Sequence, residues 1–305
     1  MDEVTSVSEA HHRQRGQVWV FVAILMLVLL GILAVALDGS NAYLNRRQAQ
    51  NAADAGALAG ARLLALGASP AEVEAAATEY AVQRNGADSC QVTILGNTVR
   101  VSTTKRTSTF FAGVVGISEV EALAEAAATF GAPDSAGGLR PIAIKNFPYV
   151  YGEEYAIWDD NPDEDPNPET THIIAGSYRG WLNLSCAYPA SCSVGSDDLK
   201  EWMANGYQGT VQVGSWLRGD PGTRASVLKQ AQVGTEVIIA VYDDIRNLYP
   251  GKEYYHVIKF AVFHITEVKA TGNPKYIEGR FIRHVQMGNP SGGPDGGLRV
   301  VRLTK

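Results

Sequence analysis

From Val18 to Leu37 the chain runs twenty residues without a charge, and the apolar positions keep to no single face. Read as a helix, the run spans roughly 30 Å at about 1.5 Å rise per residue, the thickness of a bilayer's hydrocarbon core. A helix satisfies its own backbone groups, so lipid can solvate it, whereas a surface helix of a soluble domain keeps a polar stripe. The pattern predicts a membrane span. A cleaved secretion signal is the alternative, with Arg13 and Arg15 as the basic leader and Ala34-Val35-Ala36 as a small-residue cleavage site. The run is longer than the roughly 7–15 apolar residues of such a signal.

Beyond Asp38 the residues from Asn41 to Leu66 are dominated by strong helix formers, which predicts that one rod continues past the membrane as a stalk. Ala52, Gly56 and Gly60 recur every four residues and make a small-residue stripe. Such a stripe lets a second helix approach closely, or it packs against a later part of the same chain.

Further on, Ser69-Pro70-Ala71-Glu72 carries the chemistry of a helix start, and Asn85-Gly86 that of its stop. Cys90–Leu95 and Thr98–Lys105 alternate on either side of Gly96-Asn97, the signature of a hairpin. Phe110 to Val115 reads as a short apolar helix, and Val120 to Phe130 as a strand whose alanines also permit helix. Residues 67–130 therefore form a small α+β unit that is marginal alone, so the stalk is expected to supply part of its core. Cys90 is expected to be buried there. Residues 131–138, rich in Gly, Pro and Ser, read as a linker.

Residues 139–305 carry most of the aromatic rings and read as a β-rich domain, a sandwich or partly closed barrel. Expected strands are Ile142–Lys145, His172–Ala175, Thr210–Val213, Glu236–Tyr242, Tyr255–Val268, Tyr276–Val285 and Leu298–Leu303, with helices at Asp197–Ala204 and Gly222–Gln232. In Tyr255–Val268 the residues Val257, Ala261, Phe263 and Ile265 alternate with Phe260 and Val262, as in a central antiparallel strand. The fold class is α+β throughout: a membrane helix extended into a stalk, a small α+β unit and a β-rich C-terminal domain.

The length of 305 residues suffices for two folded units, and a net charge of −6 leaves no basic stripe for nucleic acid. No His-Glu-x-x-His, P-loop or Gly-x-Ser-x-Gly occurs. The histidines (His11, His12, His172, His256, His264, His284) are scattered. A non-enzyme is expected, without a cofactor or small-molecule substrate. Cys186 and Cys192 enclose five residues and suggest a disulfide of an oxidising compartment, with a metal site as rival. Asp159, Asn161, Asp163 and Asp165 fall at alternate positions, as in a calcium loop, but Glu164 stands where such a loop needs glycine. A solvated acidic loop is the first reading there and a calcium site the second.

The succession Arg15-Gly16-Gln17, apolar run, Leu37-Asp38, Arg46-Arg47-Gln48 and Gln50-Asn51-Ala52-Ala53-Asp54-Ala55 through Ala61 resembles the N-terminal module of TadE/TadG-like proteins of Tad (Flp) pilus assembly systems. It covers about 50 residues, one sixth of the chain. The resemblance implies a single-span envelope protein, pilin-like at its N-terminus, whose partners are the membrane and other pilus or secretion-system proteins. It also favours keeping the span over cleaving it. Two features depart from the family: Phe21 stands where prepilins carry the glutamate of the fifth mature position, and the Asp-x-Ser-x-Ser metal site of the large members is missing.

Basic residues tie across the span, Arg13 and Arg15 against Arg46 and Arg47. The first pair lies closer to the membrane and Asp38 marks the far edge, so the expected protein is single-pass in the cell (inner) membrane. Residues 1–17 are then a cytoplasmic tail and the later domains extracytoplasmic. The alternative function is an extracellular binding or adhesion module on a generic anchor, with Trp158, Trp181, Trp202 and Trp216 holding a cell-wall polymer or surface glycan.

Overall fold

Helix α1 (Arg15–Leu66) is unbroken over 52 residues, as the run of helix formers after Asp38 requires. The computed structural model describes residues 15–158, 173–175, 180–190, 192–221, 225–272 and 275–304. These divide into two units that interleave along the chain. Residues up to Gly56, Ala77–Thr93 and Arg100–Ala126 form the first, and Ala57–Ala76, Ile94–Val99 and everything from Ala127 form the second.

Three strands, β1 (Ser89–Leu95), β2 (Thr98–Ser108) and β3 (Glu119–Gly131), are neighbours in that order. Helix α2 (Pro70–Thr78) ends in a π-helical turn, Glu79–Arg84. The first unit is built on α1. Its core is alanine-rich: Ala49, Ala52, Ala53, Ala77 and Ala81 are fully buried together with Val101, and Thr103 nearly so. The Thr103 hydroxyl donates to the Ala49 carbonyl at 2.8 Å, which satisfies the buried polar side chain of β2. The stalk residues up to Gly56 thus supply core to the first unit. Two differences are local. The short helix expected at Phe110–Val115 is a 3₁₀ turn starting at Ala112, and Cys90 is only half-buried, its thiol 3.5 Å from the Thr78 hydroxyl.

In the second unit Ser69 and Glu72 form the expected cap of α2: the Ser69 backbone N–H and hydroxyl donate to the Glu72 carboxylate at 2.8 and 2.7 Å. The strands here are β4 (Ser135–Gly137), β5 (Leu139–Lys145), β6 (Glu154–Trp158), β7 (Ile173–Ala175), β8 (Gly180–Ala187) and β9 (Thr210–Gln212). They are followed by β10 (Trp216–Pro221), β11 (Glu236–Tyr249), β12 (Lys252–Lys269), β13 (Tyr276–Ile282), β14 (His284–Met287) and β15 (Leu298–Thr304). Two helices, α3 (Ser196–Asn205) and α4 (Ala225–Leu228), fall between them.

The principal sheet runs β5-β11-β12-β13-β6-β7, and β10 and β8 branch from β12. Leu199 and Met203 of α3 and Val227 and Leu228 of α4 pack with Ile239, Phe263 and Phe281 on one face. On the other, Leu182 and Leu184 of β8 and Leu217 of β10 meet Leu139, Ala143 and Ala240, so the sheet curls onto itself. This is a β-rich, partly closed layer with helices on one side.

Residues 135–137, read as linker, pair with β9. Strands β6, β8 and β10 were not anticipated, and the run expected at Tyr276–Val285 is two strands, β13 and β14, of which the second pairs in parallel with β15. In β12 the partners of Val241 and Tyr242 are Lys259 and Val257. Two residues therefore pass opposite one step of β11, and this bulge at Ile258 moves Val257 onto the Phe260 face, away from Ala261. A strict period of two does not survive an inserted residue.

Candidate functional site

The N-terminal module divides into a bare part and a packed part. Between Val18 and Leu37 every residue except the half-buried Ala34 is exposed, and the apolar helix meets the length and composition of a membrane span. An exposed apolar surface of this extent marks a contact with a membrane or another protein.

At Asp38 the packing begins. Its carboxylate accepts the backbone N–H groups of Phe110, Phe111 and Ala112 at 2.9, 3.0 and 2.7 Å. Higher on the helix, the Gln48 amide donates to the Asn85 carbonyl and the Gln50 amide to the Glu125 carbonyl. The stripe of Ala52, Gly56 and Gly60 is buried by this chain itself. A Cβ on Gly56 would lie 2.9 Å from the Ala77 carbonyl oxygen and 3.3 Å from Val101. Of the two readings of the stripe, packing against the protein's own elements is the arrangement present.

The far end of α1 is closed within the second unit. Gly67, at φ +89°, lets its own N–H reach the Leu64 carbonyl and that of Ala68 reach Leu63. The remaining carbonyls of Ala65 and Leu66 accept from Arg299 and Arg283. Neither arginine was legible as a cap, since both lie more than two hundred residues along the chain.

Cys186 and Cys192 are joined by a disulfide. The four residues weighed as a calcium site, Asp159, Asn161, Asp163 and Asp165, lie outside the described residues; among the described residues no group of three or more His, Cys, Asp or Glu is placed to hold a metal. Of the tryptophans considered for polymer binding, Trp181 is buried. Trp202 packs on Tyr207, and Trp216 contacts both His256 and Arg246.

Residues 16–63 match the Tad family model, described as "Putative Flp pilus-assembly TadE/G-like". The matched stretch begins at the glycine before the bare run and ends three residues short of the end of α1. No curated protein and no solved structure matches the chain. The Tad-like module supports a role as a pilus-assembly component associated with a membrane. Within the matched stretch, Gly56 is a position where α1 lies directly against Ala77, Ala81 and Val101 of the first unit.

Proposed function

We propose that this chain is a single-span, membrane-anchored component of a Tad (Flp)-type pilus or secretion assembly that works by anchoring and packing, without catalysing a reaction. The reading rests on one coincidence: the residues that match the Tad family include an apolar run that the rest of the chain leaves uncovered. The N-terminus faces the cytoplasm and the folded units lie outside it. Support for that orientation is independent of the tied arginines, because a disulfide at Cys186–Cys192 belongs to an oxidising compartment. With the stripe of α1 occupied internally, contacts to other assembly proteins fall to the span and to the exposed surfaces of the two units.

The test is genetic and biochemical. Deleting the gene should abolish fibre formation, and full-length protein should restore it. A version whose residues 18–37 are replaced by a cleavable signal, so that the folded units are released, should not. Normal fibres in the deletion strain would remove the assembly role.

A further inference from the structure

We propose that the loop between β2 and β3 is a second membrane contact: an apolar foot that enters the lipid interface beside the point where α1 leaves the bilayer. The proposal rests on reading residues 18–37 as a span. The loop, Thr109-Phe110-Phe111-Ala112-Gly113-Val114-Val115-Gly116-Ile117-Ser118, holds six apolar residues and no charge, where a hairpin connection is ordinarily polar. Phe110, Phe111 and Ile117 are 73, 44 and 53% exposed.

The exposure does not come from a frayed segment. Thr109 donates its backbone N–H to Ser118 and Ile117 donates to Ala112, at 3.0 Å each, and Gly116 closes the turn onto Gly113. The Thr109 hydroxyl is bonded to the Ile117 carbonyl. The loop thus satisfies backbone groups internally, as a segment entering an apolar medium must, while presenting rings outward.

Its height is fixed by Asp38. That residue directly follows the last apolar position of the run, and its carboxylate holds three consecutive N–H groups of the loop within 3.0 Å. The two phenylalanines are therefore pinned at the boundary of the hydrocarbon. Exposed Tyr43 stands about 7.5 Å further along the helix, at headgroup level, and exposed Trp19 at the opposite end of the span. Ala34, one turn below Asp38 on the same face, is the one residue of the run that is not exposed. The medium that meets an apolar surface at this level is the lipid itself, and burying aromatic rings there is favourable. Two contact points fix the tilt and rotation of the first unit at the membrane, where a single helix leaves it free to turn.

The experiment uses full-length protein in lipid vesicles, with Cys90→Ser and the native disulfide kept. A nitroxide is placed in turn at Phe110→Cys, at Leu30→Cys within the span, and at Arg106→Cys on the exposed end of β2. Collision with dissolved oxygen and with a water-soluble nickel chelate is then measured. Expected is an oxygen-to-nickel ratio at 110 several-fold above that at 106 and on the side of residue 30, falling to the level of 106 when Asp38→Ala is added. A ratio at 110 equal to that at 106, with 30 still immersed, overturns the foot and leaves the span intact. Shielding of 110 from both reagents overturns it in favour of a protein partner. An aqueous reading at 30 overturns the span and the foot with it.

Discussion

The guanidinium of Arg299, in the last strand, donates to the carbonyl of Ala65, 234 residues earlier and one residue before the end of α1. The same side chain pairs with Asp295 and lies over the Phe130 ring. A cation placed on the orphan carbonyls of a long helix satisfies them and opposes the negative end of the helix dipole. Only 14% of the Arg299 side chain is exposed. Arg299→Met should therefore cost about 1.5–3 kcal/mol of stability, in the range of hydrogen bonds to charged groups. Arg302→Met, whose partner Asn289 lies in an exposed contact, should change stability by less than about 0.5 kcal/mol. Denaturation of the detergent-solubilised protein measures both.

Asp295 gives this link a pH dependence. Burial raises the affinity of its carboxyl for a proton, but the Arg299 side chain and the Gly297 backbone N–H hydrogen-bond the charged form, and the net result lies below the ordinary value of 3.8. A depressed folded-state pKa contributes stability that is complete above the unfolded value and is lost as pH falls through the folded one. Unfolding midpoints should accordingly hold steady as pH falls toward about 4 and drop below it. Asp295→Asn should be less stable at neutral pH and lose part of that acid slope.

Gly56 and Gly39 on the same helix make a matched pair. At Gly56 a Cβ meets backbone and two side chains, whereas at Gly39 nothing lies within 4 Å. Gly56→Leu should destabilise the first unit by about 1–3 kcal/mol through overpacking. Gly39→Ala should be neutral or stabilising by up to about 1 kcal/mol, from helix propensity alone. Equal effects at the two positions would contradict the packing described for the stripe.

Reducing the Cys186–Cys192 bridge, or replacing both residues by serine, should lower stability by roughly 2–3 kcal/mol, the entropy regained by opening a short loop. Thiol titration of unfolded protein should find one free thiol, Cys90, before reduction and three after it.

Much of this architecture could be read along the chain because its determinants are local. Unbroken helix formers announced α1, Ser69 and Glu72 announced the cap of α2, and Gly96-Asn97 announced the hairpin. What escaped was set by distant partners. Ser135–Gly137 has the composition of a linker and becomes a strand only because Thr210–Gln212 lies against it. The face of Val257 depends on a bulge that single-strand alternation cannot reveal. The stripe of Ala52, Gly56 and Gly60 was legible as a close-contact face, but its occupant was not, since small residues record the distance of approach and not the identity of what approaches. Asp38 was legible as the edge of the run and as part of the Tad-like succession, but not as an anchor, because its three donors come from a loop some seventy residues later.

Crossing of the membrane by residues 18–37, with the folded units held on its outer side, underlies the proposed function. Its most direct test places single cysteines at Ser8 and at Leu44 in a Cys90→Ser background, in cells whose inner membrane is intact, and treats them with a membrane-impermeant maleimide. Position 44 should be labelled at once and position 8 only after the membrane is opened, with the full-length chain in the membrane fraction. Labelling at 8 in closed cells, or recovery of the full-length chain in the soluble fraction, would contradict it.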